Sequence, residues 1–301
     1  MDKKKLRFII NPVSGIGKHR NIVKYVERYL DKSQFHYEII FTEKAGHGVN
    51  LSKQAAENGY YAVVAVGGDG SINEVGSSLI GSDTALAIIP TGSGNGFANH
   101  FHIPHDIPKA LNVINSGEIM AVDTMTADGR TVIGICGVGF DAHIAHEFAN
   151  YGKRGFSSYI KVVMREFPKY KNLTYKMKVN DTIIERKALL ITFANASEFG
   201  NHAVINPQAN LQDGMMEICI LKPFRFYQFP RLAYALFHNN IHLLPYVEVI
   251  KTDNVSLLDY QKKVAHIDGE PVFLEEETLF TIKPRSLKII IPLGKSASPN
   301  S

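Results

Sequence analysis

The sequence predicts an α/β N-terminal domain with a parallel sheet, followed by a mainly antiparallel, β-rich C-terminal domain. Two observations carry this prediction. In the first third of the chain, short apolar runs rich in β-branched residues alternate with segments of helical periodicity, a pattern typical of parallel sheets. After Val122, β-branched runs follow one another with only turns between them, which favours antiparallel strands.

The first part of the chain is predicted to contain four strands and three helices. In chain order these are a strand at 6–10, a helix at 22–30, a strand at 35–41, a helix at 48–58, a strand at 62–66, a helix at 71–79 and a strand at 85–89. The first helix is predicted because Ile22, Val26 and Leu30 recur on one face. In open sheets of this kind the ligand crevice lies at the carboxyl ends of the strands.

The second part of the chain is predicted to contain short strands at 132–136, 175–179, 189–193, 216–221, 247–251 and 255–258. We expect a first domain over residues 1–125 and a β-rich second domain over 126–295. The final apolar run, 287–293, is predicted to be a last strand that fits either domain. The chain could therefore return to the first domain at this strand.

The composition excludes several classes of protein. With 45% hydrophobic and 21% charged residues over 301 positions, general disorder is excluded. The two cysteines, Cys136 and Cys219, lie in apolar runs, which excludes a disulfide framework and fits a reducing cytosol. Because no stretch approaches about 18 uninterrupted apolar residues, we expect a cytoplasmic protein that is soluble or peripheral to a membrane.

The charge is unevenly distributed along the chain. The formal net charge is +4, yet residues 151–187 alone carry ten Lys/Arg against three Asp/Glu, a local +7. We expect a basic face here that suits an anionic membrane surface or a polyphosphate. Residues 222–227 add aromatic side chains beside cations. Nucleic acid is not expected as a partner, since no recognised binding module is present.

Three polar, glycine-containing loops follow predicted strands. Gly67-Gly68-Asp69-Gly70-Ser71 comes directly after a buried strand and opens a helix, where backbone N–H groups and the positive helix end hold phosphates. The alternative is a tight turn with Asp69 as a cap. Residues 11–15 and 90–97 repeat the arrangement, and together the loops predict a nucleotide site. Gly15 to His19 is not a P-loop, because no Ser or Thr follows Lys18.

These loops are parts of a larger set of motifs. NPVSG, GGDGSINEV and PTGSGNGFA occur in this order, followed by GFDA, by FGNHAVINPQANLQDGMMEICIL and by HIDGEP. The set resembles the diacylglycerol kinase catalytic-domain family, which contains bacterial diacylglycerol- and undecaprenol-type lipid kinases and is related to sphingosine and ceramide kinases. The resemblance covers nearly the whole chain.

The resemblance implies an ATP-dependent lipid kinase that transfers the γ-phosphoryl group to the hydroxyl of a lipid alcohol. It implies Mg²⁺, peripheral contact with an anionic membrane at its inner face and a lipid-binding role for the second domain, and it leaves a homodimer open. The implied ATP-site residues are Asn11, Pro12, Ser14, Gly15, Thr42, Gly67, Gly68, Asp69, Gly70, Ser71, Asn73 and Ser93. A structural Mg²⁺ is implied at the Asp213 side chain and the carbonyls of Asn210 and Met215, the alternative being an ordinary Asp-Gly turn.

The resemblance implies catalytic roles for Asp268 and Glu270, with Asp69 beside the phosphates. Phosphoryl transfer needs an acceptor for the proton of the alcohol, and Glu270 is the preferred candidate. Two carboxylates two residues apart point the same way if the chain is extended. The alternative for this segment is a hairpin turn at Asp268-Gly269.

The acceptor lipid stays open between diacylglycerol, a sphingoid base, ceramide and a polyprenol. Many bacterial members have Asp where Gly96 stands and Thr where Ser93 stands, so this loop is closer to the sphingosine and ceramide kinase form. Two other functions are considered, an NAD kinase-like enzyme and a catalytically silent nucleotide- or lipid-binding regulator. The NPVSG and DGE motifs argue against the first, and intact Asp69, Asp268 and Glu270 argue against the second.

Overall fold

The computed structural model describes residues 2–14, 21–152, 155–259 and 264–298. Strands and helices alternate up to residue 90, as predicted, with each predicted element of this part within two residues of its observed bounds, and two further helices follow up to residue 116. These elements are β1 (Lys4–Ile10), α1 (Ile22–Tyr29), β2 (Phe35–Phe41), α2 (His47–Glu57), β3 (Ala62–Gly67), α3 (Asp69–Ser77), β4 (Ala85–Pro90), α4 (Gly96–His100) and α5 (Ile107–Ser116).

The remaining described chain is dominated by strands. They are β5 (Glu118–Ala127), β6 (Arg130–Val132), β7 (Ile135–Gly139), β8 (Leu173–Val179), β9 (Thr182–Ala188), β10 (Leu190–Ala194), β11 (Met216–Leu221), β12 (Val247–Thr252), β13 (Asn254–Asp259), β14 (Val264–Ile267), β15 (Glu270–Phe273) and β16 (Thr278–Ile291). The helices are α6 (Phe140–Asn150), α7 (Phe156–Glu166) and α8 (Phe229–Phe237), with short 3-10 helices at Phe167–Lys169, Phe226–Gln228 and Ile241–Leu243.

The larger sheet has ten strands and contains the parallel part. Its path is β2-β1-β3-β4-β16-β13-β8-β9, with β5 paired to β16 and β6 to β5. The pairs among β1 to β4 are parallel, and these strands carry helices on both faces. In β1, Phe8 packs with α1 and α5, whereas Ile9 packs with α2 and α3, so one strand supplies both cores.

The smaller sheet has six strands in the order β12-β11-β10-β7-β14-β15, all paired antiparallel. One face packs against the antiparallel strands of the larger sheet, where the rings of Phe193 and Phe280 stack with centroids 3.8 Å apart. The other face is covered by α6, α7 and α8. This arrangement confirms the predicted fold class. Within the described residues, no helix has the length and apolar character needed to cross a bilayer.

Two predicted strands differ from the observed ones. The run predicted as one strand at 132–136 is broken at Ile133 and Gly134, because the N–H groups there turn toward the carboxylate of Asp268. The final strand begins at Thr278, well before the predicted 287. Lys283 and Arg285 conceal this extension in the sequence, and a bulge between Lys283 and Leu287 allows the strand to continue past them.

Candidate active site

The three polar loops meet at the carboxyl ends of β1, β3 and β4, as the sequence predicts. The side-chain amide of Asn11 donates to Ser71 Oγ at 3.1 Å, which joins the first loop to the start of α3. The hydroxyls of Ser14 and Thr91 lie 2.9 Å apart, and Thr91 N donates to Gly67 O at 2.9 Å. The loops therefore form one connected surface.

Glycines in these loops are required by close backbone contact. A Cβ on Gly92 would lie 2.5 Å from the Cα of Gly68, and a Cβ on Gly67 would lie 2.4 Å from Ser71 Oγ. Gly68 is the N-cap of α3. No side chain caps this helix end, and the first N–H groups of a helix lack intrahelical partners, so the end suits an anion such as a phosphate.

Asp69 is the first residue of α3 and lies between two of the loops. Its Oδ1 accepts a hydrogen bond of 3.3 Å from Phe97 N, at the start of α4. Burial and the negative charge of nearby Asp268 raise the pKa of Asp69 from 3.8 to about 6. A buried carboxyl group with such a raised pKa is typical of functional sites.

The Asp268 carboxylate is held by four donors. Its Oδ1 accepts from Gly134 N at 2.8 Å and Ile135 N at 2.9 Å, and its Oδ2 accepts from Ile133 N at 3.0 Å and from the Asn73 side chain at 2.5 Å. Burial nevertheless raises the pKa of Asp268 above its ordinary value. With its oxygens engaged in this way, Asp268 fixes the β14–β15 hairpin to α3 and to the break between β6 and β7.

Glu270 lies on the other side of the hairpin turn and is exposed. A Cβ on Gly70 would lie only 2.7 Å from Glu270 Oε1, so this carboxylate is seated directly over the first turn of α3. The expectation that the two carboxylates extend side by side is wrong. Asp268 and Gly269 have φ values of +48° and +85°, and this Asp-Gly turn reverses the chain between the two carboxylates.

The other predicted nucleotide-site residues differ in their surroundings. Pro12 and Thr42 follow β1 and β2, Thr42 N donating to Ile10 O at 2.9 Å, and Ser93 is exposed in the third loop. Asn73 is turned toward Asp268 and also donates to Thr131 O at 3.2 Å. In this structure Asn73 therefore contacts the β14–β15 hairpin through Asp268. Gly15 lies outside the described residues.

Sequence reasoning did not assign a site role to Asn95, although it noted this residue in the third loop. Asn95 has a left-handed backbone, with φ of +55°, and its amide donates to Gly92 O at 2.8 Å. Its buried Oδ1 has no hydrogen-bond partner within the described part of the chain. An Asn in a glycine-rich loop is the signal that identifies such a position, because left-handed conformations favour Asn after Gly.

A segment from the second half of the chain also packs on this loop. Asn201 N donates to Gly94 O at 3.0 Å, and a Cβ on Gly200 would lie 2.8 Å from the Cα of Gly94. A Cβ on Gly96 would lie 2.6 Å from Glu198 O. The glycine at 96 is thus required by this packing, and an Asp there would need the 198–201 segment to move.

At the predicted Mg²⁺ site, the side-chain ammonium group of Lys251 lies beside the carboxylate of Asp213. Lys251 Nζ lies 2.6 Å from Asp213 Oδ2 and 3.5 Å from Glu217 Oε1, and Met215 N donates to Asp213 Oδ1 at 3.0 Å. The side chain of Asn210 accepts from Gln212 N. A metal ion would have to displace the Lys251 ammonium group, so the arrangement as it stands does not fit one. The Mg²⁺ implied at this turn therefore has no support from this arrangement.

The described part of the basic segment, 151–152 and 155–187, does not form one face; Lys153 and Arg154 lie outside the described residues. It runs through α7 in the helical layer and then through β8 and β9 at the edge of the larger sheet. Several of its cations are already paired, Arg165 with Glu147 and Glu166, Lys178 with Asp181 and Arg186 with Glu248. The local excess of +7 in the sequence is therefore divided between two surfaces and partly neutralised.

The candidate site is thus a cluster of polar loops at the carboxyl ends of the parallel strands β1, β3 and β4. Two family models match the chain, the diacylglycerol kinase catalytic domain over residues 5–127 and the YegS C-terminal NAD kinase beta sandwich-like domain over residues 134–291. The chain belongs to this diacylglycerol kinase and YegS family, and it is a lipid kinase.

Individual relatives agree with this assignment. A diacylglycerol kinase of Staphylococcus saprophyticus is 26% identical over 273 residues, which is 89% of each chain. One from Bacillus subtilis is 25% identical over 272 residues, covering 89% of this chain and 90% of that protein. A crystal structure of a Bacillus anthracis protein assigned to the diacylglycerol kinases has the same fold, with a TM-score of 0.80 at 21% identity over 97% of this chain and 96% of that chain.

Proposed function

We propose that the protein transfers the γ-phosphoryl group of ATP to the free hydroxyl of diacylglycerol. The observation that carries this proposal is the position of the Glu270 carboxylate over Gly70, at the helix end that suits a phosphate. A hydroxyl placed between that helix end and Glu270 would have both a phosphoryl group to attack and an acceptor for its proton. The names of the bacterial relatives support diacylglycerol as the first acceptor to test.

Each group in the site has a distinct role in the proposed transfer. The N–H groups at the start of α3 bind the phosphates, and Glu270 accepts the proton of the lipid hydroxyl. Asp268 positions Glu270 through its four hydrogen bonds and does not act as a free base. Mg²⁺ bound with ATP supplies charge neutralisation on the phosphates, and Asp69 is the carboxylate that would hold it.

We also infer that the enzyme acts at the inner face of the membrane, because its lipid acceptor resides in the bilayer. The test is phosphorylation with radiolabelled ATP, using purified protein and mixed micelles of diacylglycerol, sphingosine, dihydrosphingosine, ceramide or undecaprenol. Label in phosphatidic acid that disappears in Glu270→Gln supports the proposal. If label appears only in the product of a sphingoid base, ceramide or the polyprenol, that lipid is the acceptor in place of diacylglycerol. If none of the five lipids is phosphorylated, the proposal is overturned.

A further inference from the structure

The segment between β11 and β12 exposes an unusual amount of apolar surface. Residues 222–246 form a 3-10 helix at 226–228, helix α8 and a second 3-10 helix at 241–243. We call the large exposed side chains of this segment the α8 surface. Its members and their exposed fractions are Phe226 (56%), Tyr227 (71%), Tyr234 (61%), Phe237 (42%) and Leu243 (67%).

The α8 surface is not part of the core. The inner side of α8 is already buried, with Leu232 and Ala235 packed against the smaller sheet beside α6 and α7. On the outer side of the segment, Tyr227 of the preceding 3-10 helix and both Arg231 and Tyr234 of α8 are exposed. The segment thus has two apolar sides, of which folding uses one.

The segment is held firmly on the helical layer. Phe167, just after α7, packs its ring against Phe224, Phe226 and Phe229 at centroid distances of 5.3, 5.9 and 5.4 Å. Phe224 also stacks on Tyr246 at 5.1 Å. The exposed aromatic rings therefore project from a packed support, which limits the entropy lost when they are buried by a partner.

The charge of this segment points to an anionic partner. Residues 222–246 contain three Lys/Arg, at 222, 225 and 231, and no Asp or Glu. Lys222 is paired with Glu248 at 2.8 Å, whereas neither Arg225 nor Arg231 forms an ion pair with any described residue. Exposed aromatic rings among unpaired cations are the combination that binds the interface of an anionic bilayer, where aromatic rings lie at head-group depth and cations contact the lipid phosphates.

We propose that the α8 surface docks the enzyme onto an anionic lipid bilayer. The proposal rests on the proposed function, because a kinase whose acceptor is a membrane lipid must meet the bilayer. It also replaces the 151–187 segment as the main docking element, since that segment is divided between two surfaces. A second copy of this chain is a less suitable occupant, because two such cationic surfaces would repel each other.

The test compares sedimentation with vesicles of phosphatidylcholine alone and with added phosphatidylglycerol. The test variant is Tyr227→Ser/Tyr234→Ser/Leu243→Ser. The control is Ile183→Ser/Leu293→Ser, whose side chains are 58% and 76% exposed on other surfaces. We expect binding of the test variant to anionic vesicles to fall about tenfold or more, because apolar area is lost, while the control binds like the wild type. Equal melting temperatures show that both variants fold.

A second variant and a second substrate complete the test. Arg225→Glu/Arg231→Glu should weaken binding to anionic vesicles, because the new carboxylates repel the lipid phosphates. High salt should weaken wild-type binding as much, because it shortens the Debye length from about 10 Å at 0.1 M to about 3 Å at 1 M. Phosphorylation of water-soluble dioctanoylglycerol should be unchanged in every surface variant. If the wild type does not phosphorylate dioctanoylglycerol, the proposed function is contradicted. The vesicle assay tests docking separately, because it needs no turnover.

Two results would overturn the docking proposal. One is that the Tyr227→Ser/Tyr234→Ser/Leu243→Ser variant (the aromatic variant) and the arginine variant both bind anionic vesicles as strongly as the wild-type protein does. The other is a wild-type dimer that becomes a monomer in the aromatic variant while vesicle binding stays intact, which would assign the surface to a second copy.

Discussion

The side-chain amide of Asn73 donates a 2.5 Å hydrogen bond to the carboxylate of Asp268, joining residues 195 positions apart in the chain. Asn73 lies on α3, whose first turn faces the proposed phosphate site, and Asp268 lies in the hairpin that carries Glu270. This bond therefore sets the distance between the phosphate-binding helix end and the proposed proton acceptor. The two carboxylates, which lie two residues apart in the sequence, therefore have different proposed roles: Asp268 positions the hairpin and Glu270 accepts the proton.

Asp268→Asn is predicted to destabilise the fold as well as the activity. The amide leaves one oxygen and one NH₂ group facing four donors, so charge-assisted hydrogen bonds are lost and donors are left unpaired. Removal of the buried charge offsets part of this loss, so we expect the free energy of unfolding in urea to fall by about 1–3 kcal/mol. Because Asn tolerates the positive φ of position 268, backbone strain does not confound the result. A loss no larger than that of the exposed Glu270→Gln would contradict the positioning role.

Glu270→Gln is predicted to slow the chemical step and leave the fold intact. The amide keeps the size of the side chain but cannot accept a proton, so the single-turnover rate should fall by roughly 10²- to 10⁴-fold with little change in ATP affinity. The rate measured across pH should also lose its rising acidic limb. If the limb and rate persist, the proton goes to Asp268, to water or to the phosphate itself.

Asp69→Asn is predicted to abolish phosphoryl transfer while making the protein more stable at neutral pH. The folded state raises the pKa of Asp69 from 3.8 to about 6, so it favours the protonated form. The wild type therefore loses stability as pH rises from about 4 to about 6, and the loss persists above that range. In urea unfolding without Mg²⁺, the variant should have a larger free energy of unfolding than the wild type at pH 7.5 and an equal one near pH 3.5. A constant difference across this range would refute the pKa assignment.

Lys251→Met is predicted to lower the melting temperature slightly. The lysine and Asp213 are partly exposed, so the ion pair contributes up to about 1 kcal/mol. With Lys251 in place, the wild-type melting temperature should be the same with Mg²⁺ and with EDTA. In the Met variant the freed Asp213 carboxylate gains access to Mg²⁺. A wild-type melting temperature that rises with Mg²⁺, and an absence of this rise in Asp213→Ala, would instead assign the turn to the metal.

Gly96→Ala is predicted to destabilise the contact between the third loop and the 198–201 segment. The new Cβ would lie 2.6 Å from the backbone oxygen of Glu198, which cannot move without its neighbours. We expect a loss of about 1–3 kcal/mol in urea unfolding. Ser93→Ala in the same loop is exposed and serves as the control. Equal stability of the two variants would show that the 198–201 segment adapts at no cost.

The sequence predicts the fold more completely than the site. Alternating β-branched and helical runs define the parallel strands, and the glycine-rich loops after them mark the site, because both signals are local. The break at Ile133 and Gly134 is not local, since it depends on a carboxylate 134 positions away. The separation of Asp268 from Glu270 and the packing of Gly200 on Gly94 depend in the same way on contacts between distant segments.

The place of β16 in the larger sheet has a consequence for synthesis of the protein on the ribosome. β16 follows every other described strand in sequence, yet it pairs with β4 in the middle of the ten-stranded sheet. At about 5–20 residues per second, the free edge of β4 waits roughly 10–40 s for its neighbour. During that time the nascent parallel sheet presents unpaired backbone groups, the feature that attracts aggregation and chaperones. Completion of the parallel sheet therefore waits until the strands of the second half of the chain have been made.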